Sequence, residues 1–383
     1  MAQGRHSKAG VRGSLMVDRR RALMLATGAL GVAGFAAVVG CMNTGSSPAA
    51  SGADGTETPA PVVPASATLA HQAATSDGDS VFYVDFSEGS LVRCDAHGQG
   101  RTVLYSNGQI NHLGIRYLVC ASGEVFFCDA PTASLLAVPQ GGGEARTVWA
   151  SPNTDQLPLP LCVDDGRIYV SLLDSTTMTS TILSVAPDGS EVRRHTTLPA
   201  GFYAQVVDGA EGRVYYAGVA DGDTRQIRSM TLDGTDEQVL FSLDGVASKN
   251  SALSWQVSAD RLLVEVQDDA AGSNRLLSLA LDGTDEQLVY DFSSQKVLFD
   301  LYGSDLWFVN RETFSLMARA DEGGPLVEEV ATLPKRASGT AVSFLEAGEG
   351  VAWVTTVTAG EDTANEYVTY MVSRETGEVI ELS

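Results

Sequence analysis

Short runs of branched aliphatic and aromatic residues recur along the chain at nearly constant spacing from about residue 67 onward. Each run follows closely on Gly, Asp or Ser, and successive runs begin 44, 43, 46, 48, 44 and 45 positions apart. Runs of this composition between turn residues predict β-strands, and a fixed period of this length predicts a repeat architecture. The seven runs begin at Val81, Val125, Ile168, Val214, Leu262, Leu306 and Val351.

Each repeat continues with a second run, a tight turn and a third run. The turn is best seen in an identical stretch, Leu-Asp-Gly-Thr-Asp-Glu-Gln, which occurs at Leu232–Gln238 and again at Leu281–Gln287. A fourth run precedes the next repeat, and the clearest examples are Phe202–Asp208, Leu253–Ser258, Val297–Tyr302 and Val342–Glu346. Turn residues every 8 to 12 positions leave no room for helices.

Four short strands in each repeat predict one antiparallel sheet, which cannot bury both of its faces alone. Stacking such sheets radially buries them, so we predict an all-β fold, a β-propeller of seven four-stranded blades over residues 67–383. Six or eight blades would require one repeat to be irregular or missed. Ala67–Ala74 is the candidate first inner strand and Val379–Leu382 the last outer strand, so each blade is expected to be contiguous in the chain.

These repeats resemble those of a known group of bacterial propellers. Asp165–Leu198 and Gly212–Leu243 are similar to TolB-like blades, and to a low-density-lipoprotein-receptor-like propeller domain of unknown function. The resemblance implies the propeller fold but no particular activity. The fifth and seventh repeats depart from the pattern, since Leu262-Leu263 and Ala352 stand where aromatic residues are usual.

The first 40 residues have the layout of an export signal. Six basic residues and one acidic residue lie in the first 41 positions, and an Ala/Gly-rich apolar run covers 22–40. The run ends in Val38-Val39-Gly40-Cys41, which resembles a bacterial lipobox and implies that Cys41 becomes the lipidated N-terminus. The alternative is an uncleaved transmembrane helix, because 19 residues are just long enough to span a bilayer.

Arg19, Arg20 and Arg21 resemble a twin-arginine export motif, although Ala22 replaces the usual aromatic residue. A plain basic leader explains the three arginines as well. Residues 41–66 comprise the lipidated cysteine and a Ser/Gly/Ala/Thr/Pro-rich linker that is too polar to fold. We therefore expect a signal peptide over 1–40, a flexible tether over 41–66, and a protein held on the outer face of the cell membrane.

Charge narrows the choice of partners. The chain has a formal net charge of −23, and the part after residue 41 has 19 basic and 47 acidic residues. Nucleic-acid binding needs a basic surface, so we expect no nucleic-acid partner. The ordinary hydrophobic content excludes a chain that is disordered throughout. As for oligomeric state, we expect a monomer.

No catalytic motif is present in the sequence, and no catalytic residue is predicted. Three residues lie on or near predicted inner strands, namely His112, Tyr203 and Trp255. Each of them either faces the central channel or has a purely structural role. The four cysteines after the linker match no metal or redox spacing, and they permit either disulfides or buried free thiols. They are Cys94, Cys120, Cys128 and Cys162.

The connections between second and third strands are long and acidic, and a propeller places them on one face. They carry Asp221, Asp223, Asp268 and Asp269. Clustered carboxylates suit Ca²⁺, a cationic partner or a carbohydrate, although none of these loops matches a known calcium template. No other cofactor is expected. The alternative is a solubilising acidic rim with no ligand.

Two functions of different classes follow. The first is a lipid-anchored extracytoplasmic propeller that acts as a binding scaffold for an envelope protein or glycan. The second is an extracytoplasmic propeller enzyme, a lyase, lactonase or hydrolase, with its site at the mouth of the central channel. The absence of a nucleophile or a His/acid cluster in the predicted inner strands favours the first.

Overall fold

The strands form seven antiparallel sheets arranged as blades in a ring, which is a seven-bladed β-propeller. The computed structural model describes residues 68–110, 114–220, 224–243, 251–258, 261–268, 273–293, 297–302, 305–319, 328–359 and 365–382. A two-residue strand, β1 (Thr68–Leu69), precedes the blades. Within each blade the strands are paired in chain order, from the inner strand at the channel to the outer strand.

The strands of the first three blades have the following bounds. Blade 1 comprises β2 (Ala74–Ser76), β3 (Ser80–Asp85), β4 (Ser90–Asp95) and β5 (Thr102–Ser106). Blade 2 comprises β6 (Ile115–Ala121), β7 (Glu124–Asp129), β8 (Ser134–Pro139) and β9 (Arg146–Ala150), with a short 3-10 helix at Ala130–Thr132. Blade 3 comprises β10 (Gln156–Asp164), β11 (Arg167–Asp174), β12 (Thr179–Val185) and β13 (Val192–Thr197).

The remaining four blades repeat this arrangement. Blade 4 comprises β14 (Phe202–Asp208), β15 (Arg213–Ala220), β16 (Thr224–Thr231) and β17 (Gln238–Leu243). Blade 5 comprises β18 (Ser251–Ser258), β19 (Arg261–Asp268), β20 (Ser273–Ala280) and β21 (Gln287–Ser293). Blade 6 comprises β22 (Val297–Tyr302), β23 (Asp305–Asn310), β24 (Ser315–Arg319) and β25 (Glu328–Thr332). Blade 7 comprises β26 (Thr340–Gly348), β27 (Val351–Thr358), β28 (Glu366–Ser373) and β29 (Val379–Glu381).

All seven runs that open the sequence repeats are second strands of blades, so the predicted blade number and order are confirmed. The runs are apolar without alternation because both faces of a blade are buried against neighbouring blades. Phe126 of β7 lies in the apolar cluster shared with Ile168 of blade 3, whereas the next residue, Phe127, lies in the cluster shared with Phe82 of blade 1. Burial on both sides accounts for the unbroken hydrophobic runs.

The two faces of the ring carry different connections. The loop face carries the connections between second and third strands and those from each outer strand to the next blade. The turn face carries the hairpins between first and second strands and between third and fourth strands. Inner strands therefore start at the loop face and end at the turn face. The predicted acidic loops belong to the loop face, as the meander requires.

The prediction for Ala67–Ala74 is wrong in part. β1 belongs to the sheet of blade 3, where Leu69 lies opposite Cys162 of β10, and the inner strand of blade 1 is only Ala74–Ser76. The stretch is short and rich in alanine, and its partner is a strand edge that offers backbone groups. Side-chain pattern carries no information about such pairing.

The ring closes between blades 7 and 1 without exchange of a strand. Glu346 of β26 accepts backbone hydrogen bonds from Ala73 N–H at 2.8 Å and Ala74 N–H at 2.6 Å. The Tyr83 hydroxyl donates to the Leu382 carbonyl at 2.7 Å. Closure therefore depends on side-chain and backbone contacts at the inner and outer edges of this blade interface.

Candidate functional site

The chain's own N-terminal segment occupies the central channel beside blades 2 and 3. After β1, Ala70 N–H donates to the Leu161 carbonyl of β10 at 2.9 Å, and His71 N–H donates to the Leu118 carbonyl of β6 at 2.8 Å. Burial lowers the pKa of His71 to about 4, so its imidazole is neutral at physiological pH. The segment thus pairs with part of the inner edge of blade 3 and with Leu118 of blade 2.

A bulge in β6 brings two large polar side chains into the interior. The register with β7 shifts between Arg116 and Val119, and Tyr117 has a φ of 55°. Such bulges re-aim side chains. Arg116 is buried, and burial lowers its pKa, opposed by the nearby Tyr117, Cys128 and Tyr367 groups. Burial raises the pKa of Tyr117, so its hydroxyl keeps its proton at neutral pH.

A cavity of about 50 Å³ lies beside these residues, in the loop-face half of blades 2 to 4. Its apolar wall comes from blade 3 and consists of Leu159, Leu161 and Leu173. Its polar lining residues come from three blades and are Tyr117, Ser171, Ser180 and Tyr203. An apolar wall with a few convergent polar groups is the usual composition of a small-ligand site.

Ser180 is the most deeply buried of the residues that line this cavity. Ser180 is completely buried, and its Oγ has no hydrogen-bond partner. An unpaired buried hydroxyl costs about 1–3 kcal/mol, so a group that bonds to it on binding gains a correspondingly favourable contact. A water molecule takes about 30 Å³ of liquid volume. The cavity therefore holds one or two waters, or one small side chain or ring substituent of a larger ligand.

The structure separates the predicted channel residues. Tyr203, on inner strand β14, lines the cavity, and burial raises the pKa of its hydroxyl. Trp255, on inner strand β18, instead packs with Val257 and neighbouring apolar residues between blades 4 and 5. His112 lies outside the described residues.

The predicted acidic loops are covered only in part. Asp268 is the last residue of β19 and lies opposite Ser273. Asp221, Asp223 and Asp269 lie outside the described residues, as do Cys41 and the three arginines Arg19, Arg20 and Arg21. The calcium and export predictions at these positions stay predictions.

Sequence reasoning missed two residues that line the cavity, Tyr117 and Ser180, and the buried Arg116 that precedes Tyr117 in β6. An arginine inside an otherwise apolar inner strand was the available signal for Arg116. Ser180 and Tyr117 carry no such signal, because they come together with Tyr203 only through the packing of three different blades.

Much of the acidity has a structural role on the turn face. In the repeated Asp-Gly-Thr turns, the carboxylate of the first residue accepts the Thr N–H and hydroxyl, at 3.0 and 2.7 Å for Asp233–Thr235. The same contacts in Asp282–Thr284 measure 2.9 and 2.6 Å. These hydrogen bonds lower the pKa of both aspartates. This is the usual behaviour of aspartate in turns.

The second acid of each identical stretch pairs with an arginine at the start of a second strand. Arg213 donates to Asp236 at 2.7 Å, and Arg261 donates to Asp285 at 2.7 Å. Arg261 also donates to the Ser278 hydroxyl at 2.8 Å. The repeated carboxylates therefore fasten the hairpins of their own blades.

The four described cysteines are buried free thiols. Each belongs to a different apolar cluster, so no two of them share an interface between blades. Burial raises the pKa of Cys94 to about 11 and of Cys120, Cys128 and Cys162 to about 12. The sequence permitted either disulfides or buried free thiols, and in the structure these four cysteines are free thiols that fill small apolar spaces in the core.

No group of three or more His, Cys, Asp or Glu side chains in the described ranges is placed to hold a metal ion. None of the helical segments there is long and apolar enough to cross a bilayer.

Solved structures resemble this chain at low sequence identity. A puromycin-hydrolyzing peptidase of Mycobacterium tuberculosis matches with a TM-score of 0.59 and 13% identity, over 82% of this chain and 52% of the peptidase. This chain thus spans about half the length of that protein. The β-propeller domain of the Trilobed protease from Pyrococcus furiosus, which has an open velcro topology, matches with a TM-score of 0.52 and 11% identity, over 82% and 98% of the two chains. These likenesses establish the propeller fold.

An oligogalacturonate lyase in complex with manganese also matches, with a TM-score of 0.56 and 11% identity, over 82% of this chain and 92% of the lyase. A protein named TolB from Agrobacterium tumefaciens matches at a TM-score of only 0.40, which is too low to separate TolB-like propellers from others. No protein-family model and no curated protein matches the sequence.

Proposed function

We propose that this protein is a lipid-anchored extracytoplasmic propeller that binds an envelope protein or glycan on its loop face, centred on the cavity of blades 2 to 4. The observation that carries the proposal is the cavity itself, where hydroxyls from three blades meet a leucine wall and one of them, Ser180, is buried and unpaired. Rigid scaffolds commonly bind through groups held in this way.

The pairing of the segment before blade 1 supports a surface role. Ala70 and His71 take up backbone groups of Leu161 and Leu118 on the inner strands of blades 3 and 2, so these groups are not offered to a ligand. The cavity is too small for a whole sugar ring with its hydroxyl groups. It suits one protruding group of a larger partner, in the way that interface anchors fill small pockets.

The anchor has its own test. Cys41→Ser removes the predicted acceptor of the lipid, so we expect the protein to move from the membrane fraction to the soluble fraction with the fold unchanged. A variant that stays with the membrane after this change would contradict the lipid anchor.

The binding site is tested with two variants that remove one hydroxyl each. Ser180→Ala deletes an unpaired group, so stability should be unchanged or slightly higher while affinity for the partner falls. Tyr203→Phe should weaken binding in the same way, and Tyr290→Phe on the outer strand of blade 5 is the matched control. One hydrogen bond contributes about 0.5–1.5 kcal/mol, which is roughly a two- to tenfold loss of affinity.

The partner is sought by capture on cell-wall glycans and from envelope extract with the mature protein. A partner whose binding is unaffected by both cavity variants, but is lost on substitution elsewhere on the loop face, would remove the cavity from the proposal. Loss of binding in the Tyr290→Phe control as well would point to a general change of fold.

The alternative is an extracytoplasmic enzyme of the lyase, lactonase or hydrolase class. Buried Arg116 and half-buried Tyr117, both on inner strand β6, favour it, because propeller enzymes usually gather polar residues from several blades at one site. The test is turnover of polysaccharide and lactone substrates by the wild type, with Tyr117→Phe as the variant that must lower the rate. Absence of turnover together with saturable binding would support the binding scaffold over the enzyme.

A further inference from the structure

The direction in which the chain enters the propeller follows from one strand pairing. β1 is antiparallel to β10, with Thr68 opposite Val163 and Leu69 opposite Cys162. Because β10 begins at the loop face and ends with Asp164 at the turn face, Thr68 lies near the turn face and the chain then runs toward the loop face. The segment that precedes Thr68 therefore joins the propeller from the turn-face side.

The second observation fixes where on that side the chain enters. β1 pairs with the inner edge of blade 3, and the next residues reach blade 2 at His71 and blade 7 at Ala73 through Glu346. A segment that contacts the inner strands of three blades within six residues lies at the ring axis. The tether is thus attached near the centre of the turn face.

We infer that the propeller stands on its anchor with the turn face toward the membrane and the loop face, with its cavity, directed outward. The inference rests on the proposed anchorage through Cys41. It identifies the binding surface as one open to a partner in the space beyond the protein, such as a cell-wall polymer or a secreted protein. A partner embedded in the same membrane with little exposed mass does not reach this face.

Tether length and charge are compatible with this orientation. Cys41 and Thr68 are 27 positions apart, and a flexible chain of this length has a mean end-to-end distance of about 30 Å. Turn-face acids such as Asp188, Asp233 and Asp282 oppose close contact with anionic lipid. That repulsion acts within about 8–10 Å at physiological salt, so it holds the turn face at a distance without turning the propeller over.

The turn and loop faces of blade 3 offer a matched pair of labelling sites. Ser190 on the turn face and Thr176 on the loop face are exposed, and each follows an aspartate by two positions and donates its N–H to that carboxylate at 2.9 Å. Ser190→Cys and Thr176→Cys each introduce one accessible thiol, because the four described native cysteines are buried. A strand of eight residues separates the two faces by about 25 Å.

The experiment measures energy transfer from a donor dye on each thiol to acceptor lipids in vesicles. The mature chain is held by an N-terminal oligohistidine tag on nickel-chelating lipid, with Cys41 replaced by serine, so the result does not depend on lipidation. We expect the Ser190→Cys label to lie nearer the bilayer on average, by at most the separation of about 25 Å between the two faces, and to show the greater transfer. Equal transfer at both sites, or greater transfer at Thr176→Cys, would overturn the orientation.

The energy-transfer experiment on vesicles and the Cys41→Ser anchor test can fail independently of each other. If Cys41→Ser leaves the protein on the membrane in cells while Ser190→Cys shows the greater transfer on vesicles, then the anchor proposal is wrong and the geometry of the tether is right. If Cys41→Ser releases the protein from the membrane but transfer is equal at both labels, then the anchor proposal is right and the orientation is wrong.

Discussion

Removal of the Glu346 side chain should open the junction between blades 7 and 1, and the loss should depend on pH. The carboxyl group of Glu346 accepts two buried N–H groups, from Ala73 and Ala74. Each buried donor left without a partner costs about 1–3 kcal/mol. Glu346→Ala is therefore expected to lower the free energy of unfolding by about 4 kcal/mol before the cost of burying the carboxyl group is considered.

That burial cost has the opposite sign and grows with pH. Burial, and to a smaller extent the charge of Asp300, raises the pKa of Glu346 to about 8, whereas the unfolded value is near 4.5. An acid whose pKa is raised on folding destabilises the fold as pH increases from the unfolded value to the folded value. At pH 7 the cost is about 3 kcal/mol, and near pH 4.5 it is close to zero. The substitution removes this cost, so its net effect should be largest at acidic pH.

The assay is denaturant unfolding of wild type and Glu346→Ala at pH 5 and pH 8, with hydrogen exchange of residues 73–76 as a local readout. We expect a loss of about 3–4 kcal/mol at pH 5 and about 1 kcal/mol or less at pH 8. Glu349→Ala, at an exposed position in the following turn, is the control and should change little. A loss that is equal at the two pH values, or smaller than that of the control at pH 5, would refute this account of the junction.

Three further predictions concern the blades. Burial raises the pKa of Glu265 to about 7, and its carboxyl group accepts a hydrogen bond from Asn274 at 2.8 Å. Glu265→Gln should therefore raise the melting temperature at pH 8.5 and leave it unchanged at pH 5. An unchanged melting temperature at pH 8.5 would contradict this. Arg261→Ala should cost about 1 kcal/mol in a thermal melt, because its ion pair with Asp285 is partly exposed. Arg213→Ala should match it, and a large difference would show that the two repeats are not equivalent. The four described cysteines should resist alkylation in the folded protein and all react after unfolding without reductant; two or fewer labelled cysteines would indicate a disulfide.

The blade pattern was predictable because its information is local. Each strand pairs with its neighbours in the chain, and the turns carry their own chemistry, as in Asp233-Gly234. There Gly234 has a φ of +83°, and Asp233 accepts the Thr235 N–H. Side chains that face two neighbouring blades must all be apolar, which gives the runs that mark every second strand. The count of seven therefore follows from residues close together in sequence.

The path of the N-terminal segment was not predictable in the same way. Leu69 pairs with Cys162, 93 positions later, through backbone groups at the free edge of β10. Edge pairing makes no demand on side-chain pattern, so residues near Ala74 gave only a generic strand signal. The cavity has the same difficulty, since Tyr117, Ser180 and Tyr203 have no regular spacing and meet only when three blades pack.

The large excess of acidic residues was a weak guide to function. Of the seven residues repeated identically, one carboxylate stabilises the turn and a second pairs with an arginine, as Asp282 and Asp285 do in blade 5. These two demands account for the repetition without a ligand, because any blade with this turn and this arginine benefits equally. A binding residue is expected instead at a position that the repeat does not require.

Ser180 is such a position, and the segment of residues 68–76 explains why a ligand would meet it from the loop face. This segment pairs with blade 3, reaches blade 2, donates to Glu346 of blade 7 and then becomes the inner strand of blade 1. It thereby links the inner strands of blades 3, 2 and 7 at the point where the ring closes. If the proposed anchorage through Cys41 holds, the loop face is the surface left for binding, and the cavity beside Ser180 lies in that half of the propeller.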